Sequence, residues 1–218
     1  MLKKESVSPG ILKVLYDLMR IPSLNQHRLV GGTALALQIG HRISVDIDLF
    51  SDAASNYIAI EKDLLEKFSG EIQVLHHLNS LFGRGLSLHI QGIKTDVIDW
   101  SAPFSLPPAQ IDFIRMASLE DIIRMKLEII TSPPEIIRYD KKDFIDIAVL
   151  FDYFSINDMI RIFSKAYPKF ASPERNILEG LQCAELADKK PMPRMLIPLT
   201  WEEVKKKIDA AIKEYLRK

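Results

Sequence analysis

Apolar positions recur at helical spacing over residues 9 to 20, where Ile11, Leu12, Val14, Leu15, Leu18 and Met19 follow Pro9. Pro22 and the polar stretch Ser23 to His27 end this helix, and Leu29 and Val30 read as a very short strand running into Gly31-Gly32. The pattern predicts a helix from Ala34 to Ile39, stopped by Gly40. The period then changes to two. From Ser44 to Leu49, Val45, Ile47 and Leu49 fall on one strand face and Ser44, Asp46 and Asp48 on the other. A helix is expected over 59–68, and strands over 72–78 and 86–100, with breaks at Asn79, Gly83, Gly85 and Gly92.

The proline-marked stretch SAPFSLPPAQ (101–110) separates this mixed half from one that is almost wholly helical. Ser118 with Asp121 has capping-box spacing and opens a helix to about Thr131; Pro133 and Pro134 break it. Further helices fit 140–153, 157–166, 173–188 and 201–217, the last opened by Thr200 and Glu203 at capping-box spacing. The expected organisation is an α+β core over 1–110 and a helical domain over 111–218.

Charge changes the picture little. Lysine plus arginine and aspartate plus glutamate both number 29 in 218 residues, and residues 1–100 carry 10 basic against 11 acidic side chains. A general polyanion binder is therefore not expected. The basic stretches KKPMPR (189–194) and KKK (205–207) are either RNA contacts or solvated helix faces. The single cysteine, Cys183, excludes an intrachain disulfide and a cysteine-based zinc site; a half-buried helix position accounts for it. The first ten residues are not followed by an apolar segment of signal-peptide type, and no apolar run approaches a membrane span, so a cytoplasmic location is expected.

The chemistry concentrates in LVGGTALALQIGHRISVDIDLF (29–50). Asp46 and Asp48 leave one strand face roughly 7 Å apart, a separation from which two carboxylates can grip one divalent cation. Mg2+ takes oxygen ligands and keeps positions for phosphate or water. Gly31-Gly32 stands between a strand and a helix, where a bare backbone and unpaired helix N–H groups suit phosphate. Thr33 adds a hydroxyl, and Arg42 and Ser44 lie between the two features, placed to meet further phosphate oxygens. The alternative is a plain turn beside a solvated strand face.

This stretch resembles the signature of the polymerase β-like nucleotidyltransferase superfamily, Gly-Gly followed by Asp-x-Asp, and its form GGTAL…RISVDIDLF resembles the AbiEii/AbiGii toxin family most. The resemblance implies a third carboxylate on a neighbouring strand. In IKTDVIDW, Lys94 two residues earlier favours Asp96, with Asp99 the alternative. It also implies a helical signature, met by RMKLEIITSPPEIIRYDKKDFIDIAVL (124–150), in which Lys126 contacts the phosphates of the nucleotide and Asp143 helps set the site. The tract from Ser132 to Arg138 departs from the family pattern, with two prolines and one arginine. Lys126 and Lys142 also read as solvated helix charges.

What the resemblance implies is a polymerase β-like core with a small mixed sheet and flanking helices, followed by a helical region. The implied activity is Mg2+-dependent transfer of a nucleoside monophosphate from a nucleoside triphosphate to a hydroxyl of tRNA or protein, with two metal ions held by Asp46, Asp48 and Asp96. A toxin of this kind implies a separately encoded antitoxin. The same residues would serve a small-molecule transferase, or a binding module that kept the fold. GRGLSL (83–88) lacks the last glycine of a dinucleotide fingerprint and reads as a hairpin turn, and His76-His77 and His89 read as strand positions.

Overall fold

The computed structural model describes residues 1–80, 83–133 and 139–217, and its contacts divide the chain into two units, Met1–Ser118 and Leu119–Lys218. Arg138 lies outside the described residues.

In the first unit, α1 (Pro9–Leu18) is capped by the Ser8 hydroxyl, which accepts from the Ile11 N–H, and it buries Ile11, Val14, Leu15 and Leu18. Then come β1 (Arg28–Leu29), α2 (Gly31–Ile39), β2 (Ile47–Ser51), α3 (Tyr57–Lys67), β3 (Ile72–Ser80), β4 (Gly83–Ile90), β5 (Ile93–Asp99), β6 (Ala109–Ile111) and β7 (Ile114–Met116). The strands form one mixed sheet in the order β3-β4-β5-β2-β1-β7-β6. β2 runs parallel to β5, and β1 parallel to β7; the remaining pairs are antiparallel. Ile47 and Leu49 of β2, Val97 of β5, and Leu86 and Leu88 of β4 are fully buried or nearly so.

Several expectations are corrected. β2 begins at Ile47, three residues later than the alternation suggests, and Val45 is 63% exposed instead of joining the buried face. The preceding residues bond elsewhere: the Ser44 N–H donates to the Ser6 carbonyl, and the Thr33 hydroxyl donates to the Asp46 carbonyl. Gly31 and Gly32 form the first turn of α2 and do not precede it. Asn79 lies within β3 and Gly85 within β4, so neither breaks a strand. A Cβ on Gly85 would stand 2.5 Å from the Val97 carbonyl oxygen, so close backbone packing, not a turn, requires glycine there. GRGLSL is therefore strand, and His76 and His77 lie inside β3. The hairpin β6–β7, hidden in the sequence by its short strands, joins the sheet and carries the first unit to Ser118, past the boundary expected near residue 110.

Arg115 of β7 holds the segment before β1 in place by donating to the carbonyls of Met19, Leu24 and His27, each at 3.0 Å. His27 itself is 1% exposed, with Ser55 Oγ 3.3 Å from its Nε2. Burial lowers its pKa to about 4, Asp99 partly opposing and Arg115 reinforcing the shift. The unfolded chain takes up this proton near pH 6.5, whereas the folded chain resists it to about pH 4. Stability present above pH 6.5 is therefore lost as pH falls towards 4, by up to about 3 kcal/mol. Urea titrations at pH 7 and pH 5 are expected to show this loss in the wild type and a smaller one in His27→Gln.

The second unit contains α4 (Leu119–Thr131), α5 (Lys141–Leu150), α6 (Ile156–Ala166), α7 (Pro173–Gln182) and α8 (Trp201–Leu216). The Thr200–Glu203 capping box opens α8 as its spacing predicts, and Ser155–Asp158 forms a second one at α6. The helix expected over 173–188 ends at Gln182 and continues as a 3-10 turn from Cys183 to Ala187. Cys183 is a free thiol; burial, with the Glu179 charge, pushes its pKa up, away from the reactive thiolate. Ile122, Leu127, Phe144 and Phe163 are fully buried. Buried with them is an ionic cluster in which Lys126 Nζ lies 2.8 Å from Asp143 and 2.7 Å from Asp146. Lys126 is thus not the solvated charge that the sequence left open, whereas Lys142 is exposed. Among the described residues no helix is long and apolar enough to cross a membrane.

Candidate active site

The site is built on the face of β2 that does not enter the core. Ile47, Leu49 and Ser51 are buried, which turns Asp48 and Phe50 to the other face. β5 lies alongside in parallel register, with Asp48 opposite Asp96 and Ser51 opposite Asp99. Directly paired residues share a face, so Asp96 stands beside Asp48 at about the 4.8 Å strand spacing. Asp99 belongs to the opposite face, where its carboxylate accepts from the Ser55 N–H at 3.2 Å and lies 3.9 Å from Arg84.

The glycine turn meets this pair directly. Gly31 has φ +65°, and a Cβ on it would stand 2.8 Å from Asp48 Oδ2. Only glycine takes that conformation readily, and only glycine leaves room for the carboxylate. The Val30 N–H donates to the Asp48 carbonyl at 2.9 Å, joining the start of α2 to β2. No side chain of the N-cap residue Val30 caps this helix, so its first turn presents amide dipoles beside an acidic cluster.

Thr33, Ser44 and Arg42 are placed differently from one another. The Thr33 and Ser44 hydroxyls are 2.8 Å apart and buried, and Thr33 also donates to the Asp46 carbonyl. They tie α2 to the segment that carries Asp46, and so fix where the first aspartate leaves the chain. Arg42 is 3% exposed and donates to the Ile43 carbonyl at 3.2 Å. Lys126 and Asp143 belong to the second unit and its buried ion cluster.

Two partners of Asp96 add to the site. Ser87 of β4, which pairs with Asp96 in the sheet, donates to Oδ1 at 2.5 Å, and Lys94 Nζ lies 2.8 Å from Oδ2. Partial burial works against the Lys94 charge, but the hydrogen bond to Asp96 and the charges of Asp96, Asp48 and Asp46 outweigh it and raise the pKa. In the sequence Lys94 served only to choose between two aspartates, and nothing marked Ser87. Its role depends on cross-strand register, which alternation along one strand does not carry.

Carboxylate oxygens are hard ligands that suit a divalent cation. The bare Gly31 backbone lets the Asp48 carboxylate lie directly against the start of α2. Among the described residues, however, no three acidic, histidine or cysteine side chains already converge on one point. Asp96 is instead turned to Ser87 and Lys94.

A family model described as nucleotidyl transferase AbiEii toxin, type IV TA system, matches residues 13–217. Among solved structures, the chain is similar to a candidate nucleotidyltransferase from H. pylori, at 16% identity and a TM-score of 0.52, over 95% of this chain and 93% of that one. It is also similar to JHP933 from Helicobacter pylori, at 18% identity and a TM-score of 0.52, over 97% of this chain and 96% of that one. At such identities the likeness speaks for the fold, a small mixed sheet with flanking helices. No curated protein matches the chain.

Proposed function

This chain belongs to the AbiEii nucleotidyl transferase toxin family, and from that premise we propose that it moves a nucleoside monophosphate from a nucleoside triphosphate to a hydroxyl of tRNA or protein. The observation that carries the reading is the register of β2 and β5, which sets Asp48 beside Asp96, together with the Gly31 backbone packed against Asp48.

In this reading the Gly31-Gly32 turn and the first N–H groups of α2 receive the triphosphate. Asp46 and Asp48 would hold one divalent cation, and Asp96 a second. Bound there, Mg2+ supplies charge neutralisation for the departing pyrophosphate and eases deprotonation of the acceptor. The acceptor hydroxyl gives up its proton on the Asp96 side of the site. Its oxygen attacks the α-phosphorus, the bond to the pyrophosphate oxygen breaks, and no covalent enzyme intermediate is needed. The contribution of the chain is positioning and electrostatics. A separately encoded antitoxin fits the family, and a cytoplasmic location fits substrates of this kind.

Incubation with each α-labelled nucleoside triphosphate, Mg2+ and total cellular RNA and protein tests the proposal. Label is expected in one macromolecular fraction with one nucleotide, and none when the label is on the γ-phosphate. Label carried only by a small-molecule hydroxyl would replace the acceptor class. No labelling, and no rise in melting temperature with any nucleotide and Mg2+, would leave a binding module without transferase activity.

A further inference from the structure

We propose that Lys94 is a built-in counter-ion that occupies Asp96 until nucleotide arrives, so that the empty enzyme admits one divalent cation and takes the second only with the triphosphate. The inference rests on the reading of Asp46, Asp48 and Asp96 as cation ligands.

Both oxygens of Asp96 are engaged, Oδ1 with the Ser87 hydroxyl at 2.5 Å and Oδ2 with the Lys94 ammonium at 2.8 Å. Each oxygen keeps a second lone pair, but a cation approaching Oδ2 meets the ammonium charge and one approaching Oδ1 meets the Ser87 hydroxyl. Ser87 is a short side chain on the paired strand β4 and cannot retreat far. Lys94 can. It lies two residues before Asp96 on β5, on the same face, and its side chain is 48% exposed against 14% for Asp96. A flexible stem with its head partly in water can leave without opening the core. Its charge acts on all three aspartates and not on Asp96 alone.

Formal charge sets the stoichiometry. Three carboxylates and one ammonium carry a net charge of two minus, which one divalent cation cancels. A second cation then meets an uncharged cluster and the repulsion of Lys94. A triphosphate brings several negative charges and reverses that balance: the second cation enters with it, and Lys94 turns from Asp96 towards phosphate.

Mn2+ binding to the full chain without nucleotide, followed by isothermal calorimetry and by electron paramagnetic resonance of free Mn2+, tests the inference apart from activity. Wild type and Lys94→Arg are expected to bind one Mn2+. Lys94→Met is expected to bind a second, or to bind the first about tenfold more tightly, because a neighbouring positive charge has been removed. Melting curves check that each variant is folded, and Lys94→Gln repeats the neutralisation with a polar side chain. If both neutral variants bind Mn2+ as the wild type does, Lys94 does not set occupancy, while the carboxylate site stands. If wild type binds no Mn2+, or binds it equally well after Asp46→Asn, both the Lys94 inference and the cation-ligand reading fail.

Discussion

Asp48→Asn is expected to fold, to melt no lower than wild type in the absence of metal, and to lose nucleotidyl transfer by about a thousandfold or more, the scale on which removal of a key electrostatic group acts. The two halves of this prediction have one cause. Asp48 stands directly opposite Asp96 in a parallel pair, with Lys94 as the cation that the structure places against Asp96. Without metal, neutralising Asp48 relieves repulsion from the adjacent Asp96 against a lost attraction to Lys94, and removes no buried hydrophobic contact. With metal and nucleotide, the same change removes the ligand closest to the glycine turn. Asparagine keeps the shape, so the space beside Gly31, into which Asp48 Oδ2 fits, is filled much as before. Label transfer and calorimetric melting on the same protein measure both halves. Transfer within tenfold of wild type would remove Asp48 from the chemistry. Loss of transfer with a large fall in melting temperature would make it a structural residue.

That Asp48 leaves the face opposite Ile47 and Leu49 was legible in the sequence because strand alternation is local; Asp46 precedes β2, where alternation no longer sets its side. The position of Gly31-Gly32 at a helix start was legible too, and so was the Thr200–Glu203 cap of α8, since a capping box spans only four residues. The choice of Asp96 over Asp99 was not legible from alternation, because both sit in one strand and the answer lies in which of them faces Asp48 across the sheet. The same holds for Ser87, and for Gly85, whose reason is the nearness of the β5 backbone and not a turn. Val45 misled because its apolar side chain fits the alternation while its neighbours spend their hydrogen bonds on Ser6 and Thr33. The polarity of Arg42, Thr33 and Ser44 was visible in the sequence and their burial, set by residues distant in the chain, was not.

Lys126→Met is expected to destabilise the protein by roughly 3–5 kcal/mol, the range for removing one partner of a buried ion pair. The lysine joins α4 to α5 through two contacts of 2.8 and 2.7 Å, and its side chain is 6% exposed, with Asp143 at 7% and Asp146 at 0%. Methionine fills the stem volume but takes the ammonium away from two buried carboxylates, so the cost is electrostatic and not a cavity. The second change that recovers stability is therefore definite: Lys126→Met combined with Asp143→Asn and Asp146→Asn should regain much of the loss, because the buried negative charges go together with the ammonium. Asp143→Asn alone should cost less than Lys126→Met, since Asp146 still holds the ammonium. Urea unfolding of the four proteins, at a pH where carboxylates are ionised, measures the series. If Lys126→Met costs less than about 0.5 kcal/mol, the scale of a surface pair, the cluster is not what holds α4 to α5. If it costs the full amount and the triple variant recovers it, the aspartates account for the burial of the lysine by themselves, and any contact of Lys126 with nucleotide must be made without leaving them.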